Sequence, residues 1–232
     1  MKTIGLIGGM SWESSVEYYR IINEVVRERL GGLHSAKVIM HSIDFAPLAE
    51  MQAQGRWDEA GDMMADAARS LEQAGAGCVL IGANTMHKVA DAVKAAVSIP
   101  LIHIADSTAE RVKAANIGCV GLLGTRFTME EPFYASRLVD SYGLDVLAPP
   151  AEMREVVHRV IYEELCLGIT KEASRVAFRE IMADLQAKGA QGIILGCTEI
   201  ALLVKPEDSP LPMFDTTRIH AEAAVDWALE AA

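Results

Sequence analysis

One stretch of the chain occurs twice, and the two copies differ where chemistry would be expected. Leu71 to Thr85 (LEQAGAGCVLIGANT) aligns without a gap on Leu185 to Glu199 (LQAKGAQGIILGCTE), pairing Gly75 with Gly189, Gly82 with Gly196 and Ala83 with Cys197. Two further landmarks repeat in the same order: Ile4 to Gly9 (IGLIGG) with Val120 to Thr125 (VGLLGT), and Pro100 to His103 (PLIH) with Pro212 to Asp215 (PMFD). Each is an apolar run that ends at a turn residue. Repeats in one order across most of a chain indicate two homologous half-domains that present equivalent loops.

Between these landmarks, short β-branched runs alternate with amphipathic segments, the pattern of a parallel sheet covered by helices. Strands are predicted near residues 3–7, 37–43, 78–82, 100–104, 117–123, 145–148, 192–196 and 212–214. The fold class is therefore α/β, with two pseudo-symmetric half-domains, each holding a parallel four-stranded sheet. Tyr18, Ile21, Ile22, Val25 and Val26 fall at helical spacing, as do Met63, Met64, Ala67, Leu71 and Ala74, and both sets read as core-facing stripes. Capping boxes at Ser107 to Glu110 and Thr128 to Glu131 are expected to start two helices, while Gly143, Gly168 and Gly189 stand where helices should stop. The duplication places residues 1–97 with 216–232 in the first half-domain and 98–215 in the second.

Composition narrows the function. A formal charge of -11 over 232 residues, with no basic run, argues against nucleic acid or an anionic membrane surface as partner, because phosphate binding needs clustered Lys and Arg. No apolar run is long enough to span a bilayer, and the opening MKTIGLIGGM lacks a signal peptide's apolar region and cleavage site, so the cytoplasm is the expected location. Cys78, Cys119, Cys166 and Cys197 show no metal-type spacing, and neither a disulfide framework nor a metal site is expected. The first three lie in apolar strand-like or helical segments and read as small buried hydrophobes.

Cys197 stands apart. Ligands of parallel α/β sheets bind beyond the carboxyl ends of the strands, and Ala83-Asn84-Thr85 and Cys197-Thr198-Glu199 both follow a predicted strand. Gly8-Gly9-Met10-Ser11 and Gly124-Thr125 occupy the equivalent first turns, so two related halves would aim four loops at one cleft. A thiol there would exchange protons as the thiolate, its pKa lowered from about 8.5 by a helix N-terminus. Burial at a strand end is the commoner fate of a lone cysteine, but the polar Thr198 and Glu199, and the matching Asn84 and Thr85, favour chemistry.

At these residues the chain resembles the aspartate/glutamate racemase superfamily, whose members remove and return an α-proton without pyridoxal phosphate. The marks are Gly8-Gly9-Met10, Ser42-Ile43-Asp44-Phe45, Asn84-Thr85-Met86-His87, Leu123-Gly124-Thr125 and Gly196-Cys197-Thr198-Glu199, spread over essentially the whole chain. The resemblance implies two pseudo-symmetric α/β domains with the active site between them, often a homodimer, a small-molecule amino-acid substrate and no cofactor. It also implies two bases, one from each half, which abstract the proton from one face and return it to the other. Cys197 would be one base and position 83 the other. Met10, Gln52, Asn84, Thr85, Thr125, Thr198 and Glu199 would bind the amino acid.

Ala83 departs from this pattern. Most members carry Cys there, and a branch acting on L-aspartate and L-glutamate carries Thr; alanine can neither give nor take a proton. Four explanations fit: an engineered variant that traps substrate, a natural enzyme that uses water or Thr85 as second acid, a one-sided reaction as in the related arylmalonate decarboxylases, or binding without catalysis. An impaired or altered racemase of aspartate- or glutamate-type amino acids ranks first, ahead of a single-cysteine decarboxylase of malonate-type acids and of a silent acidic-amino-acid binder. A dicarboxylate needs a cation, for which Arg56 and Arg126 are candidates, though each reads equally as a solvated surface arginine. Relatives that prefer aspartate often place a basic residue around Tyr162 to Leu165, where this chain is acidic. His87 either tunes the loop or bonds backbone, His41 and His103 read as core histidines, and Trp12 either covers the cleft or packs at the domain seam.

Overall fold

A computed structural model describes residues 1–230, so the last two positions assigned above to the first half-domain, 231 and 232, lie outside the described residues. The chain divides into two compact units, Met1–Ile104 with His220–Ala232, and Ala105–Ile219.

The first unit runs β1 (Ile4–Gly8), α1 (Trp12–Leu30), β2 (Val38–Ser42), α2 (Phe45–Ala53), α3 (Trp57–Gln73), β3 (Cys78–Ile81), a 3-10 turn (Thr85–Val89) and α4 (Ala90–Ala96). Its parallel sheet has the order β2-β1-β3. β1 and β3 are buried throughout because both faces of the sheet are covered, which is why they read as continuous apolar runs. Side chains alternate across the sheet. Ile4, Leu6, Cys78 and Leu80 pack with the α1 stripe Tyr18, Ile21, Ile22, Val25 and Val26. Ile7, Val79 and Ile81 pack on the other face with Met64, Ala67 and Leu71 of α3. Met63 is only partly buried, and Ala74 is an exposed cap, so the second predicted stripe is narrower than its spacing suggested.

The fourth strand predicted for this half is absent as a strand. Leu101 makes a single parallel bridge to Val79, flanked by hydrogen bonds from Val79 N–H to the Pro100 carbonyl (2.9 Å) and from Ile102 N–H to the Val79 carbonyl (3.0 Å). Pro100 has no N–H to extend the ladder, and a helix starts at Ile104. The first sheet is therefore three-stranded, and these bonds keep residues up to Ile104 in the first unit, beyond the boundary at 97 expected from the repeat.

The second unit runs α5 (Ile104–Ala114), which begins at the boundary, β4 (Cys119–Gly124), α6 (Arg126–Glu130), α7 (Pro132–Tyr142), β5 (Asp145–Leu147), α8 (Ala151–Glu163), a 3-10 turn (Leu165–Leu167), α9 (Glu172–Ala187), β6 (Gly192–Gly196), α10 (Ile200–Leu203) and β7 (Met213–Asp215). Its parallel sheet has the order β5-β4-β6-β7. The last helix, α11 (Thr216–Leu229), returns the chain to the first unit at His220. Two helix starts differ from expectation. Ser107 lies within α5, and Thr128 lies within α6, whose N-cap is Thr125; its hydroxyl accepts from Thr128 N–H at 3.3 Å. In both cases the chain enters the helix earlier, close behind the preceding strand or bridge, and the later Ser or Thr becomes interior.

The duplication is visible in strand register. Gly5 lies opposite Val79 and Gly121 opposite Ile193, while the bridge of Val79 to Leu101 corresponds to the pair Ile193 with Met213. The repeated leucines cover the repeated glycines: a Cβ on Gly5 would stand 3.4 Å from Leu71 Cβ, and one on Gly121 would stand 2.8 Å from Leu185 Cδ1. No helix among the described residues is long and apolar enough to cross a membrane.

Candidate active site

In the second unit, β4 and β6 end side by side, with Gly124 paired to Gly196. A Cβ on Gly196 would come within 2.9 Å of the Leu123 carbonyl oxygen, and one on Gly124 within 2.8 Å of the Gly196 carbonyl oxygen. The two glycines let the strand ends close, and Thr125 and Cys197 leave from adjacent positions. Cys197 is buried and donates its thiol proton to Glu199 Oε2 at 2.8 Å, and Thr198 Oγ1 donates to the same oxygen at 2.9 Å. Burial, and then the charge of Glu199, hold the thiol well above its ordinary pKa. This reverses the expected lowering. α10 spans only Ile200–Leu203, and a carboxylate rather than a cation contacts the sulfur.

Helix α8 adds two residues at i, i+4 spacing. Tyr162 packs against the apolar cluster that contains Cys197. Burial raises its hydroxyl pKa, Cys197, Cys166 and Glu199 add to the rise, and Arg126 opposes it. His158 lies with its ring 4.7 Å from Tyr162 and accepts the Arg126 backbone N–H at Nδ1 (3.3 Å). Burial and then Arg126 lower its pKa, and Phe127 meets the same imidazole edge-on at 6.3 Å. Sequence reasoning left both residues out of the site; the one available signal was their shared helical face.

In the first unit, partly buried Ala83 packs against the apolar cluster that also contains Met10 and Met86. Asn84 and Thr85 follow it, both buried, and Gln52 of α2 donates to Met86 Sδ at 3.0 Å. Gln52 thus reaches the loop that follows position 83 and includes Asn84 and Thr85, and Met10 belongs to the same apolar cluster. His87 settles its own role. Its Nδ1 stands 2.9 Å from the Ala83 carbonyl oxygen, and its Nε2 accepts the Ile104 N–H at 3.2 Å. A carbonyl accepts and an amide N–H donates, so the ring is neutral with its proton on Nδ1, and it bonds backbone at both ends. His103 lies 4.4 Å and His220 5.9 Å away, ring to ring. His220 accepts from the Tyr18 hydroxyl at Nδ1 (2.8 Å) and donates from Nε2 to the Ile102 carbonyl (2.8 Å). This buried histidine cluster was not foreseen, because its members are remote in sequence.

The remaining candidates separate. Arg56 is held by Gln54 and Glu59, each at 2.8 Å, whereas the Arg126 guanidinium makes no ion pair among the described residues and lies 5.9 Å from the Phe127 ring. Trp12 is exposed at the start of α1. Cys78 is buried with its pKa pushed up to about 12, an inert core thiol. Among the described residues, no three His, Cys, Asp or Glu side chains are grouped so as to hold a metal ion.

The chain belongs to the Asp/Glu/hydantoin racemase family, whose sequence profile matches residues 7–224. It is similar to a Yersinia pestis protein whose crystal structure was described as that of a candidate Asp/Glu racemase, with 54% identity, a TM-score of 0.92, and coverage of 99% of this chain and 100% of that one. An aspartate racemase homologue from Pyrococcus horikoshii is 36% identical, with a TM-score of 0.85 and coverage of 99% and 100%. A broad-specificity amino-acid racemase of Bacillus subtilis is 23% identical over 74% of both chains. By family the chain is a racemase, an isomerase in reaction class.

Proposed function

We propose that this racemase exchanges the α-proton of aspartate- or glutamate-type amino acids at one face through Cys197, and completes racemisation slowly because Ala83 offers no group at the other. The observation that carries this reading is the contact of Cys197 Sγ with Glu199 Oε2 at 2.8 Å, a thiol already aligned with a proton acceptor. The thiol proton passes to Glu199, and the substrate's ammonium group favours the thiolate that forms. The thiolate then takes the Cα proton, leaving a carbanion delocalised into the carboxyl group. The new thiol returns a proton, or a solvent-derived deuteron, to the same face, which preserves configuration. Loss of a positioned acid costs on the order of 10²- to 10⁴-fold in rate, so exchange should outrun inversion. Met10, Gln52, Asn84, Thr85, Thr125 and Thr198 are proposed to hold the amino acid, in a cytoplasmic homodimer that needs no cofactor.

One observation favours a second reading. A cysteine with a raised pKa rests as a thiol, the form that protonates an enolate after decarboxylation of a malonate-type acid.

Deuterium exchange at Cα of each enantiomer of aspartate and glutamate, followed by NMR, tests both. Exchange should exceed racemisation, racemisation should rise in Ala83→Thr, and both should vanish in Cys197→Ser. Exchange that persists in Cys197→Ser overturns the assignment of the base. Carbon dioxide released from a substituted malonate would promote the second reading.

A further inference from the structure

The ladder of the first sheet ends early, and two imidazoles take its place. In a parallel pair the backbone groups of alternate residues turn toward the same neighbour. Val79 bonds Pro100 and Ile102, so the next rung would use the Ile102 carbonyl and the Ile104 N–H. Imidazoles take both. The Ile102 carbonyl accepts from His220 Nε2 at 2.8 Å, and the Ile104 N–H donates to His87 Nε2 at 3.2 Å. Ile104 is fully buried, and a buried N–H needs a partner. In the second unit the corresponding rung is present, since Leu195 pairs with Asp215, and the repeat places Ala201, which has no polar side chain, at the counterpart of His87.

The other nitrogen of His87 reaches the loop at position 83. Nδ1–H donates to the Ala83 carbonyl at 2.9 Å, and the His87 backbone N–H donates to the Asn84 carbonyl at 3.0 Å. A carbonyl and the N–H that follows it lie in one rigid plane. Holding the Ala83 oxygen therefore fixes the Asn84 amide and the turn of the chain between them. The ring is packed in place: it is buried, His103 lies 4.4 Å from it and His220 5.9 Å, and His220 is held by the Tyr18 hydroxyl at 2.8 Å. The matching carbonyl of Cys197 instead accepts the Ile200 N–H at 3.1 Å, inside its own turn.

We infer that His87 is the positioning residue of position 83: it ties this strand end to the segment at Ile104 and so sets where a side chain at position 83 stands toward a bound amino acid. With Ala83 the clamp holds a methyl group. With an acid–base side chain there, it decides whether proton transfer at the second face succeeds. This inference rests on the reading of Cys197 as the base at the other face.

The test reads the clamp and the chemistry separately. By NMR on the full chain, His87→Phe, which keeps a ring without the two hydrogen bonds, should speed amide exchange at Ile104 and move the carbonyl carbon-13 shift of Ala83. His87→Asn, which keeps a donor near the place of Nδ1, should hold the Ala83 shift and still speed exchange at Ile104. In Ala83→Thr, the ratio of racemisation to same-face deuterium exchange on aspartate or glutamate, at saturating substrate, should fall on the order of 10- to 100-fold when His87→Phe is added. His87→Asn should restore part of it. A merely structural role would lower both rates together, so an unchanged ratio overturns the inference, as do an Ile104 amide and an Ala83 shift that His87→Phe leaves as they were. Should His87→Phe fail to fold, His87→Asn decides, because an Ile104 amide still protected in that variant overturns the clamp. No α-proton exchange on any amino acid would remove the racemase mechanism, while the NMR readings would still uphold or overturn the clamp.

Discussion

Cys197 Sγ and Glu199 Oε2 stand 2.8 Å apart, and the same carboxylate oxygen also accepts the Thr198 hydroxyl at 2.9 Å. Residues two apart on a strand would share a face yet lie about 7 Å apart along it. They meet because β6 stops at Gly196 and the backbone turns to helical dihedrals at Glu199. One oxygen therefore adds to burial in holding the sulfur protonated and orients the neighbouring hydroxyl.

Glu199→Gln removes the negative charge that adds to burial in disfavouring the thiolate, so the pKa of Cys197 should fall in the variant. Titration of thiolate ultraviolet absorbance, with Cys197→Ser as the blank for the other cysteines, reads the shift. A higher or unchanged pKa would mean that burial alone sets the thiol. Proton exchange should drop as well, because the amide cannot receive the thiol proton.

Acid should weaken the first unit through His220. Burial lowers its folded pKa from 6.5 to about 4, so between those values the unfolded chain binds more protons than the folded one. The contribution is fully present above pH 6.5 and is lost as pH falls toward 4, amounting to about 3 kcal/mol. Urea unfolding at neutral and mildly acidic pH should show this slope, and His220→Gln should flatten it.

Asp208 anchors the segment ahead of β7. Its fully buried carboxylate accepts from Arg175 Nε (2.7 Å), Arg179 Nε (2.5 Å) and the Lys205 N–H (2.7 Å), and these donors hold its pKa down at about 2 against the cost of burial. Asp208→Asn leaves two guanidinium groups without their shared partner. Both arginines are partly exposed, which limits the loss to about 2 kcal/mol in denaturant unfolding.

Gly9→Ala should damage both folding and binding. The residue has φ +88°, and an added Cβ would fall 2.1 Å from the Ile43 carbonyl oxygen, which is backbone and cannot rotate away. The combined strain and clash should exceed about 3 kcal/mol. Whatever folds should exchange the α-proton of amino acids more weakly, since Met10, proposed above to hold the substrate, adjoins the displaced turn. Wild-type stability would show that the turn tolerates a side chain.

Much of the fold was legible because its signals are local. The α1 stripe from Tyr18 to Val26 repeats at helical spacing, and the buried strands are short apolar runs that end in glycine. The loops at 83–85 and 197–199 were found by aligning the chain on itself. The helix start expected at Thr128 lies at Thr125 because two threonines near the strand end can cap and the sequence does not say which reaches a free amide first, while α5 begins at Ile104, ahead of Ser107, directly after the Leu101 bridge.

The sequence by itself determined the duplication, the parallel α/β class, the strand-end loops and the contrast of Ala83 with Cys197, because each is written in periodicity or in the match of one segment to another. Only the tertiary structure decided that Leu101 makes a bridge and not a strand, that the Cys197 thiol is raised and not lowered, that His87 is fully engaged by backbone, and that Arg126 and not Arg56 keeps its charge unpaired. Those outcomes depend on distances and on exclusion of water among residues remote in the chain, and packing alone sets both.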